Sequence, residues 1–199
     1  MSLPSLRFER ASAQKIVCGV DEAGRGPWAG PVCAAAVILD QANIPDGLDD
    51  SKKLSPAKRE ALFPQIMATA EVGIGLVSAA EIDKINILQA TYLAMSRALA
   101  ALKSIPTLAL IDGNRAPKLY CATHCIIGGD GKSLSIAAAS IIAKVTRDRL
   151  MVLMDNEFCA YGFAKHKGYG TAQHRAALTQ YGPCAEHRKS FMPVKMLLA

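Results

Sequence analysis

The sequence predicts one α/β domain with a helical C-terminal extension, and three patterns support this prediction. Short apolar segments rich in β-branched residues recur along the chain, as expected of the strands of a sheet. Longer segments carry apolar residues on one side at helical spacing. The final part of the chain is basic and broken by glycine and proline. Within a single domain, 1–199, we place the core at about 14–155 and the extension at about 156–199.

Five strands are predicted, and the segments between them indicate how they pair. In chain order the strands are Ile16–Val20, Val32–Leu39, Val72–Val77, Thr107–Ile111 and Thr123–Ile127. The first two are separated by the Gly/Pro-rich loop Ala23–Pro31, which favours a hairpin. A helix precedes the fourth strand, a short connecting segment joins the fourth strand to the fifth, and another helix follows the fifth. This order favours parallel neighbours.

The predicted helices begin at recognisable caps. Ser55 precedes Pro56, a pair typical of a helix start, and Asn86 can cap a longer helix. Ser133 or Ser135 can cap a third helix, and a short helix is expected over 171–180. In the two long helices the apolar residues share one face, at Leu88, Tyr92, Met95, Leu99 and Leu102, and at Leu134, Ala138, Ile141, Ile142 and Val145. We interpret such stripes as core.

Composition and charge limit the classes of function. Lys and Arg outnumber Asp and Glu by 23 to 17, which favours a polyanionic partner without requiring one. No run approaches the ~20 apolar residues that span a bilayer, and Met1–Arg10 lacks the apolar stretch of a signal peptide. The six cysteines are scattered through apolar segments, so we expect them to be reduced and mostly buried. We therefore expect a soluble, cytoplasmic protein that does not bind membranes.

Metal-ligand residue types crowd together at Cys121, His124 and Cys125. A structural zinc site usually needs four such ligands, and the second pair is missing here. We therefore favour a strand with small buried thiols over a zinc site.

Four carboxylates stand at the ends of apolar runs. Asp21 and Glu22 follow the first predicted strand, Asp112 follows the fourth, and Asp130 comes shortly after the fifth. Ligands of open α/β sheets collect beyond the carboxyl ends of the strands, so these residues can converge on one pocket. Grouped carboxylates repel one another unless protons or cations neutralise them. Oxygen ligands favour Mg²⁺ or Mn²⁺, and a pair of such ions can activate water for attack on a phosphodiester.

Each carboxylate taken alone also has an ordinary structural explanation. An Asp at the end of a strand is a good turn former or helix cap. Moreover, Glu22 directly follows Asp21, and neighbouring strand residues point to opposite faces of a sheet. Both can then reach one metal pair only if the backbone bends near Ala23 and Gly24. The hypothesis therefore depends on the set of four.

Two glycine-framed segments have compositions suited to nucleic acid. In Gly24-Arg25-Gly26, the glycines let main-chain groups approach a ligand closely, and Arg25 offers charge to a phosphate. In Lys165–Gly170, basic side chains accompany Tyr169, a combination suited to a phosphate backbone and to stacking on a sugar or base. Either segment alone is also an ordinary loop. A further basic stretch, 52–59, fits an exposed helix start.

A series of motifs extends in consistent order from about Val17 to Lys195. The motifs are Gly19-Val-Asp-Glu-Ala-Gly-Arg-Gly-Pro27, Asp50-Ser-Lys-Lys-Leu54, Ile111-Asp-Gly-Asn114, Gly129-Asp130, Ala137-Ala-Ala-Ser-Ile-Ile-Ala-Lys-Val-Thr-Arg-Asp148 and His166-Lys-Gly-Tyr-Gly-Thr171. Together they strongly resemble the ribonuclease HII family. The resemblance implies a ribonuclease H-like fold, with a mixed five-stranded sheet flanked by helices and a helical C-terminal part.

The resemblance also implies a function and the residues that perform it. The expected activity is an endonuclease that cuts the RNA strand of RNA–DNA hybrids or cuts at ribonucleotides embedded in duplex DNA. It would use two-metal activation of water and leave 5′-phosphate and 3′-hydroxyl ends. Two divalent ions, Mg²⁺ or Mn²⁺, would be held by Asp21, Glu22, Asp112 and Asp130. The substrate would contact Gly24, Arg25, Gly26, Tyr169, Lys52 and Lys144. A monomer acting in ribonucleotide excision, DNA replication and repair is expected on the same grounds.

The sequence leaves some alternatives. A noncatalytic RNA–DNA hybrid-binding protein would keep the groove without turnover, although the intact carboxylates speak against it. A nuclease acting on DNA only is another reading. Lys144 and Ser140 also fit structural residues of their helix. Cleavage of a duplex that contains one ribonucleotide separates the three functions.

Overall fold

The computed structural model describes residues 3–11 and 16–198, and its single sheet has five strands. The strands are β1 (Val17–Ala23), β2 (Val32–Leu39), β3 (Ala70–Val77), β4 (Leu108–Asp112) and β5 (Ala122–Ile126). Their order across the sheet is β3-β2-β1-β4-β5. β1 pairs antiparallel with β2 and parallel with β4, and β4 and β5 are parallel. The predicted hairpin and the predicted mixed sheet are both confirmed. The predicted core start at residue 14 lies outside the described residues.

Seven α-helices occur in the described part of the chain. They are α1 (Arg7–Ala11), α2 (Pro56–Thr69), α3 (Ala79–Ala100), α4 (Leu134–Glu157), α5 (Phe163–His166), α6 (Ala172–Tyr181) and α7 (Met192–Lys195). The Ser55 hydroxyl caps α2, and the Ser133 hydroxyl accepts a hydrogen bond from the Ile136 N–H at the start of α4. Ser133 is therefore the cap of α4, and Ser135 is not. The short α1 was not predicted.

The prediction that Asn86 caps the start of a long helix was wrong for α3 as a whole. α3 begins earlier because Ser78 and Glu81 form a reciprocal capping box. Asn86 interrupts this helix with a φ of 66°, and its side-chain oxygen accepts from the N–H groups of Leu88 and Gln89. Asn86 therefore caps only the second part of α3.

The sheet lies between α3 on one face and α4 on the other. The apolar face of α3 packs on Val20 and Ile111, and the small residues of α4 pack on the opposite face of β2. Glycine allows the close approach of α4 to β1, since a Cβ at Gly19 would lie 2.1 Å from the carbonyl carbon of Ser135. The carboxyl end of β1 is thereby held beside the first half of α4, where Asp21 and Ser140 line one cavity.

The C-terminal extension packs on the second half of α4 and on the loop after β1. Its apolar cluster includes Ala29, Met151, Phe163, Leu178 and Val194. The extension also reaches α3, where the carboxylate of Asp83 accepts from the main-chain N–H groups of Lys189 and Ser190. None of the described helices is both long and apolar enough to cross a bilayer.

The six cysteines form no disulfide, but the expectation that most are buried was wrong. Cys18 and Cys33 are buried, Cys159 is exposed, and the other three are half-buried. One of the half-buried thiols, Cys125, belongs to β5, which lies at the edge of the sheet, and a second, Cys121, directly precedes this strand. An edge strand is covered less completely than a central one, so its side chains stay partly accessible.

Candidate active site

Three aspartates meet where β1 and β4 end. The carboxylates of Asp21, Asp112 and Asp130 each place an oxygen within 4.8 Å of the other two. Asp21 lies in the last part of β1, Asp112 is the last residue of β4, and Asp130 lies in a 3₁₀ turn after β5. No other cluster of three or more His, Cys, Asp or Glu side chains with metal-site spacing occurs in residues 3–11 and 16–198. The zinc reading of the β5 segment therefore has no support there.

Glu22 reaches the same cavity from the other face of the sheet. Asp21 turns toward α4, whereas Glu22 also lines a second cavity with Tyr92 and Met95 of α3. The predicted backbone bend lies at Gly24, where φ is 94°, because β1 keeps its register with β2 through Ala23. The pairing of β1 with β4 ends earlier, at Val20, which leaves the end of the strand open to both faces.

One cavity of about 390 Å³ contains most of the predicted site. Of the residues predicted from the sequence, it is lined by Asp21, Glu22, Gly24, Arg25, Gly26, Lys52, Asp112, Lys144 and Tyr169. Asp130 is not part of this lining, but its Oδ2 atom lies 3.5 Å from Lys52 Nζ. The fold therefore brings all ten predicted residues to one region.

Main-chain N–H groups orient the three aspartates. Asp21 accepts from the N–H of Glu22 at 2.7 Å, and Asp112 accepts from the N–H of Gly129 at 2.7 Å. Asp130 accepts from the N–H of the residue that follows it at 2.9 Å. One oxygen of each carboxylate is thus held by the backbone, which limits the rotation of the side chain.

The site holds more negative charge than its surroundings neutralise. Burial raises the pKa of Asp21 well above its ordinary value, and the charges of Glu22 and Asp112 raise it further. Burial likewise raises the pKa of Glu22, although Arg25 opposes this shift, and it raises the pKa of Asp130. Such a cluster favours protons or cations between its members.

Three cationic side chains stand around the carboxylates. Arg25 Nη1 lies 3.4 Å from Glu22 Oε1, and the Lys52 side chain is 78% exposed beside Asp130. Lys144 Nζ lies 2.8 Å from Asp148 Oδ1, one turn along α4. An ion pair with so exposed a cation contributes little to stability, so Lys52 can exchange Asp130 for a phosphate at small cost.

The glycine turn, Gly24–Gly26, forms one wall of the cavity together with Tyr169. Gly24 has a φ of 94°, and a Cβ there would lie 2.0 Å from Arg147 Nε, so this position requires glycine. At Gly26 a Cβ would meet only the Tyr169 ring, at 3.7 Å. Tyr169 is 47% exposed, so its ring is available to a bound ligand.

The sequence analysis missed Ser51, Arg147 and Arg188 and treated Ser140 only as a residue that fits a structural role. The hydroxyl groups of Ser51 and Ser140 lie 2.7 Å apart beside Asp21, and both residues are 4% exposed. Arg147 and Arg188 are buried behind the glycine turn. Ser51, Ser140 and Arg147 lie inside the recognised motifs, which was the available signal. Arg188 had no signal, because it is one basic residue in a basic extension.

Comparison with known proteins agrees with this geometry. The family model described as Ribonuclease HII matches residues 18–194. The chain belongs to the ribonuclease HII family. Ribonuclease HII of Parvibaculum lavamentivorans is 56% identical over 200 residues, covering 99% of this chain and 74% of that protein. Ribonuclease HII of Azorhizobium caulinodans is 56% identical over 194 residues, covering 96% and 75%. Family membership supports a ribonuclease H activity and places the chain among the nucleases that hydrolyse phosphodiesters.

Solved structures confirm the ribonuclease H-like fold of this family member. The ribonuclease H2 of Pyrococcus horikoshii OT3 superposes with a TM-score of 0.77 at 28% identity, covering 92% of this chain and 97% of that one. The ribonuclease HII in the PCNA complex of Archaeoglobus fulgidus gives 0.73 at 25% identity, with 89% and 95% covered. Bst-RNase HIII in complex with Mn²⁺ gives 0.74 at 20% identity, with 98% and 73% covered, and shows the shared fold alone.

Proposed function

We propose that the chain is an endonuclease that cuts the RNA strand of RNA–DNA hybrids and cuts at ribonucleotides embedded in duplex DNA. The observation that carries this proposal is the convergence of Asp21, Asp112 and Asp130 within 4.8 Å beside a cavity walled by the glycine turn and Tyr169. Family membership supports the same reaction class. No observation favours the noncatalytic binder over the enzyme.

The donor set fits two divalent cations, Mg²⁺ or Mn²⁺. All its ligand atoms are carboxylate oxygens. Burial, and then the charges of Glu22 and Asp112, raise the pKa of Asp21, and a cation would neutralise that charge. We assign the ions to Asp21, Glu22, Asp112 and Asp130, with Glu22 approaching from the α3 face. When bound, such ions supply activation of water and neutralisation of charge on the phosphate.

The protein's own groups then position the substrate. Arg25, Lys52 and Lys144 surround the carboxylates and offer charge to phosphates on either side of the cut. The glycine turn admits close main-chain contact with the 2′-hydroxyl, the group that distinguishes a ribonucleotide from a deoxyribonucleotide. Tyr169 packs on the sugar. The 2′-hydroxyl is recognised and not used as the nucleophile, so the products carry 5′-phosphate and 3′-hydroxyl ends.

The biological setting that we propose rests on the family resemblance. It is a monomer that acts in the cytoplasm on ribonucleotides left in DNA, as part of DNA replication and repair.

The decisive experiment uses a DNA duplex that carries one ribonucleotide, with an all-DNA duplex of the same sequence as control. We expect cutting at the ribonucleotide with Mg²⁺ or Mn²⁺, no cutting with chelator, and an intact control duplex. End labelling identifies the 5′-phosphate and 3′-hydroxyl products. Binding of the ribonucleotide duplex without cutting in either metal would instead support the noncatalytic binder, and cutting of the all-DNA duplex would support a DNA nuclease.

A further inference from the structure

Two buried arginines lie behind the glycine turn without a carboxylate to pair with. Arg147 is 1% exposed and Arg188 is 0% exposed, and no ion pair to either occurs among the described residues. Burying a guanidinium without a carboxylate partner is costly, and hydrogen bonds from its donors offset only part of that cost. Their position behind the turn that faces the proposed substrate indicates a role in substrate binding.

Arg188 binds the carbonyl groups of the glycine turn directly. Its Nη2 donates to the Gly24 carbonyl at 2.5 Å and its Nη1 to the Arg25 carbonyl at 2.9 Å. Its Nε donates to the Gly30 carbonyl at 3.0 Å. The planar fork of one guanidinium therefore holds two consecutive carbonyl oxygens of the turn from the side of the protein.

Arg147 holds the segments that flank the turn. It lies on α4, and its Nε donates to the Pro31 carbonyl at 2.9 Å. Its Nη2 donates to the Ala29 carbonyl at 3.1 Å, and its Nη1 donates to the Lys167 carbonyl at 3.0 Å, two residues before Tyr169. The two walls of the cavity, the glycine turn and the Tyr169 segment, are thereby tied to one side chain.

The turn consequently presents donors to the cavity. The N–H groups of Arg25 and Gly26 have no hydrogen-bond acceptor in the part of the chain that the structure describes, and both residues are exposed. Because Arg188 takes the carbonyl oxygens of Gly24 and Arg25, these two acceptors do not face the ligand. N–H donors suit phosphate and hydroxyl oxygens, whereas a carbonyl turned outward would repel a phosphate.

The buried charges also favour an anion at this wall. Burial, together with the nearby charge of Arg147, lowers the pKa of Arg188 to about 9. Two cations in this surrounding repel each other, and a phosphate at the cavity side of the turn relieves that repulsion. The site therefore separates its charges, with carboxylates on one side and buried guanidinium groups on the other.

We propose that Arg188 is a positioning residue for ribonucleotide selection. Its guanidinium holds the Gly24 and Arg25 carbonyl oxygens so that the N–H groups of the turn face the 2′-hydroxyl and adjoining phosphate. With Arg147, it provides the positive charge behind that contact. This inference rests on the proposed ribonucleotide-directed activity.

The first test compares three variants. Arg188→Met keeps the apolar stem, Arg188→Lys keeps a charge but loses the fork, and Leu178→Ala alters a buried position of the same extension that makes no hydrogen bond to the turn. Affinity is measured in chelator for matched duplexes with one ribonucleotide or none. We expect the preference for the ribonucleotide duplex to fall about tenfold in Arg188→Met, less in Arg188→Lys, and not in Leu178→Ala. An unchanged preference in a folded Arg188 variant overturns the inference.

The second test needs no variant, so it remains possible if Arg188 is required for folding, and it examines the contact that Arg188 is proposed to position. Amide chemical shifts of Arg25 and Gly26 are followed by NMR as each duplex is added to the unaltered chain. The N–H of Gly113, which already donates to the Ile126 carbonyl, is the control. We expect the Arg25 and Gly26 amides to shift more with the ribonucleotide duplex than with the all-DNA duplex, and the Gly113 amide to shift by the same amount with both. If the Arg25 and Gly26 amides also shift by the same amount with both duplexes, the inference is overturned.

The outcome for the proposed function is separate. If the unaltered chain fails to cut the ribonucleotide duplex in Mg²⁺ and Mn²⁺, the proposed function fails. If it cuts but selection does not depend on Arg188, only the positioning role fails.

Discussion

Individual residues of the candidate site are arranged at a cost to stability. Asp21 is 4% exposed, and the nearby Glu22 and Asp112 carry the same charge. A buried charge with like-charged neighbours destabilises a fold unless a cation joins it. Removing the charge of Asp21 should therefore lower the catalytic rate without lowering the stability of the fold.

Asp21→Asn tests this expectation. We expect turnover on the ribonucleotide duplex to fall by more than about a hundredfold, because a proposed metal ligand is lost. Duplex binding should persist, and the melting temperature should be unchanged or higher, because the repulsion is relieved. The exposed Asp46→Asn is the matched control and should change neither property. Unfolding of Asp21→Asn would show that Asp21 is structural.

Tyr169 gives a second prediction at this scale. Replacing its ring by alanine should weaken selection of the ribonucleotide junction by about tenfold, since a stacking contact is worth roughly 1–3 kcal/mol. Metal binding, followed by calorimetry, should not change. Tyr169→Phe keeps the ring and should retain selection, and Tyr181→Ala removes another exposed ring as a control. Unchanged junction preference in Tyr169→Ala contradicts the stacking role.

At the scale of elements, close packing of helices on the sheet sets the position of the site. Glycines make this approach possible on both faces. Gly19 meets α4, and on the other face a Cβ at Gly75 would lie 2.0 Å from the Ala94 carbonyl oxygen of α3. Because α4 carries Ser140 and β1 carries Asp21, the distance between these two elements decides whether their side chains meet.

Gly19→Ala should therefore destabilise the protein. The new methyl group would overlap the backbone of α4, so we expect a loss of about 1–3 kcal/mol in the free energy of unfolding, measured by denaturant titration. Gly131→Ala is the control, because a Cβ there would meet only the flexible Lys53 Nζ, at 3.2 Å. Equal stability of the two variants would show that α4 moves away from β1 at little cost.

At the scale of the whole molecule, a chain of buried histidines ties the extension to the cavity wall. His174 Nδ1 lies 2.9 Å from the Tyr169 carbonyl oxygen, which only accepts, so this nitrogen carries the hydrogen. His174 Nε2 then accepts from His187 Nε2, 2.9 Å away, and His187 Nδ1 accepts from the Cys184 N–H at 3.0 Å. Each imidazole is therefore neutral, and protonation of either one breaks the chain.

This network predicts acid sensitivity. Burial, together with the nearby His174, lowers the pKa of His187 from an ordinary value of 6.5 to about 4. Between these values the unfolded chain binds a proton that the folded chain does not. Stability is therefore complete above pH 6.5 and falls as the pH decreases toward 4, by at most about 1.4 kcal/mol per pH unit for this group.

The measurement is the free energy of unfolding from pH 7.5 to 4.5. Carboxylates with raised pKa values, such as Asp21, act in the opposite direction, so variants are needed to isolate the histidine. His187→Gln should show a smaller decrease than the unaltered chain, and His124→Gln, at an exposed position, should match the unaltered chain. The same decrease in both variants would contradict the prediction.

Much of the fold was predictable from spacing along the chain. The strand ends were wrong by a few residues, most importantly at β1, which continues through Asp21 and Glu22 to Ala23. The apolar pattern ends at Val20, but the ladder with β2 continues because main-chain hydrogen bonds do not require apolar side chains. The earlier start of α3 was predictable in principle from the Ser78 and Glu81 pair.

Local spacing and residue type were enough to predict the five strands, most helix caps, the family and ten residues of the site. The approach of Glu22 from the α3 face and the contact of Arg188 with the glycine turn depend on how distant parts of the chain pack together. The hydrogen bond from Arg188 to the Arg25 carbonyl joins residues 163 positions apart. Its acceptor is a main-chain group that every residue possesses, so no pattern of side chains along the chain indicates it.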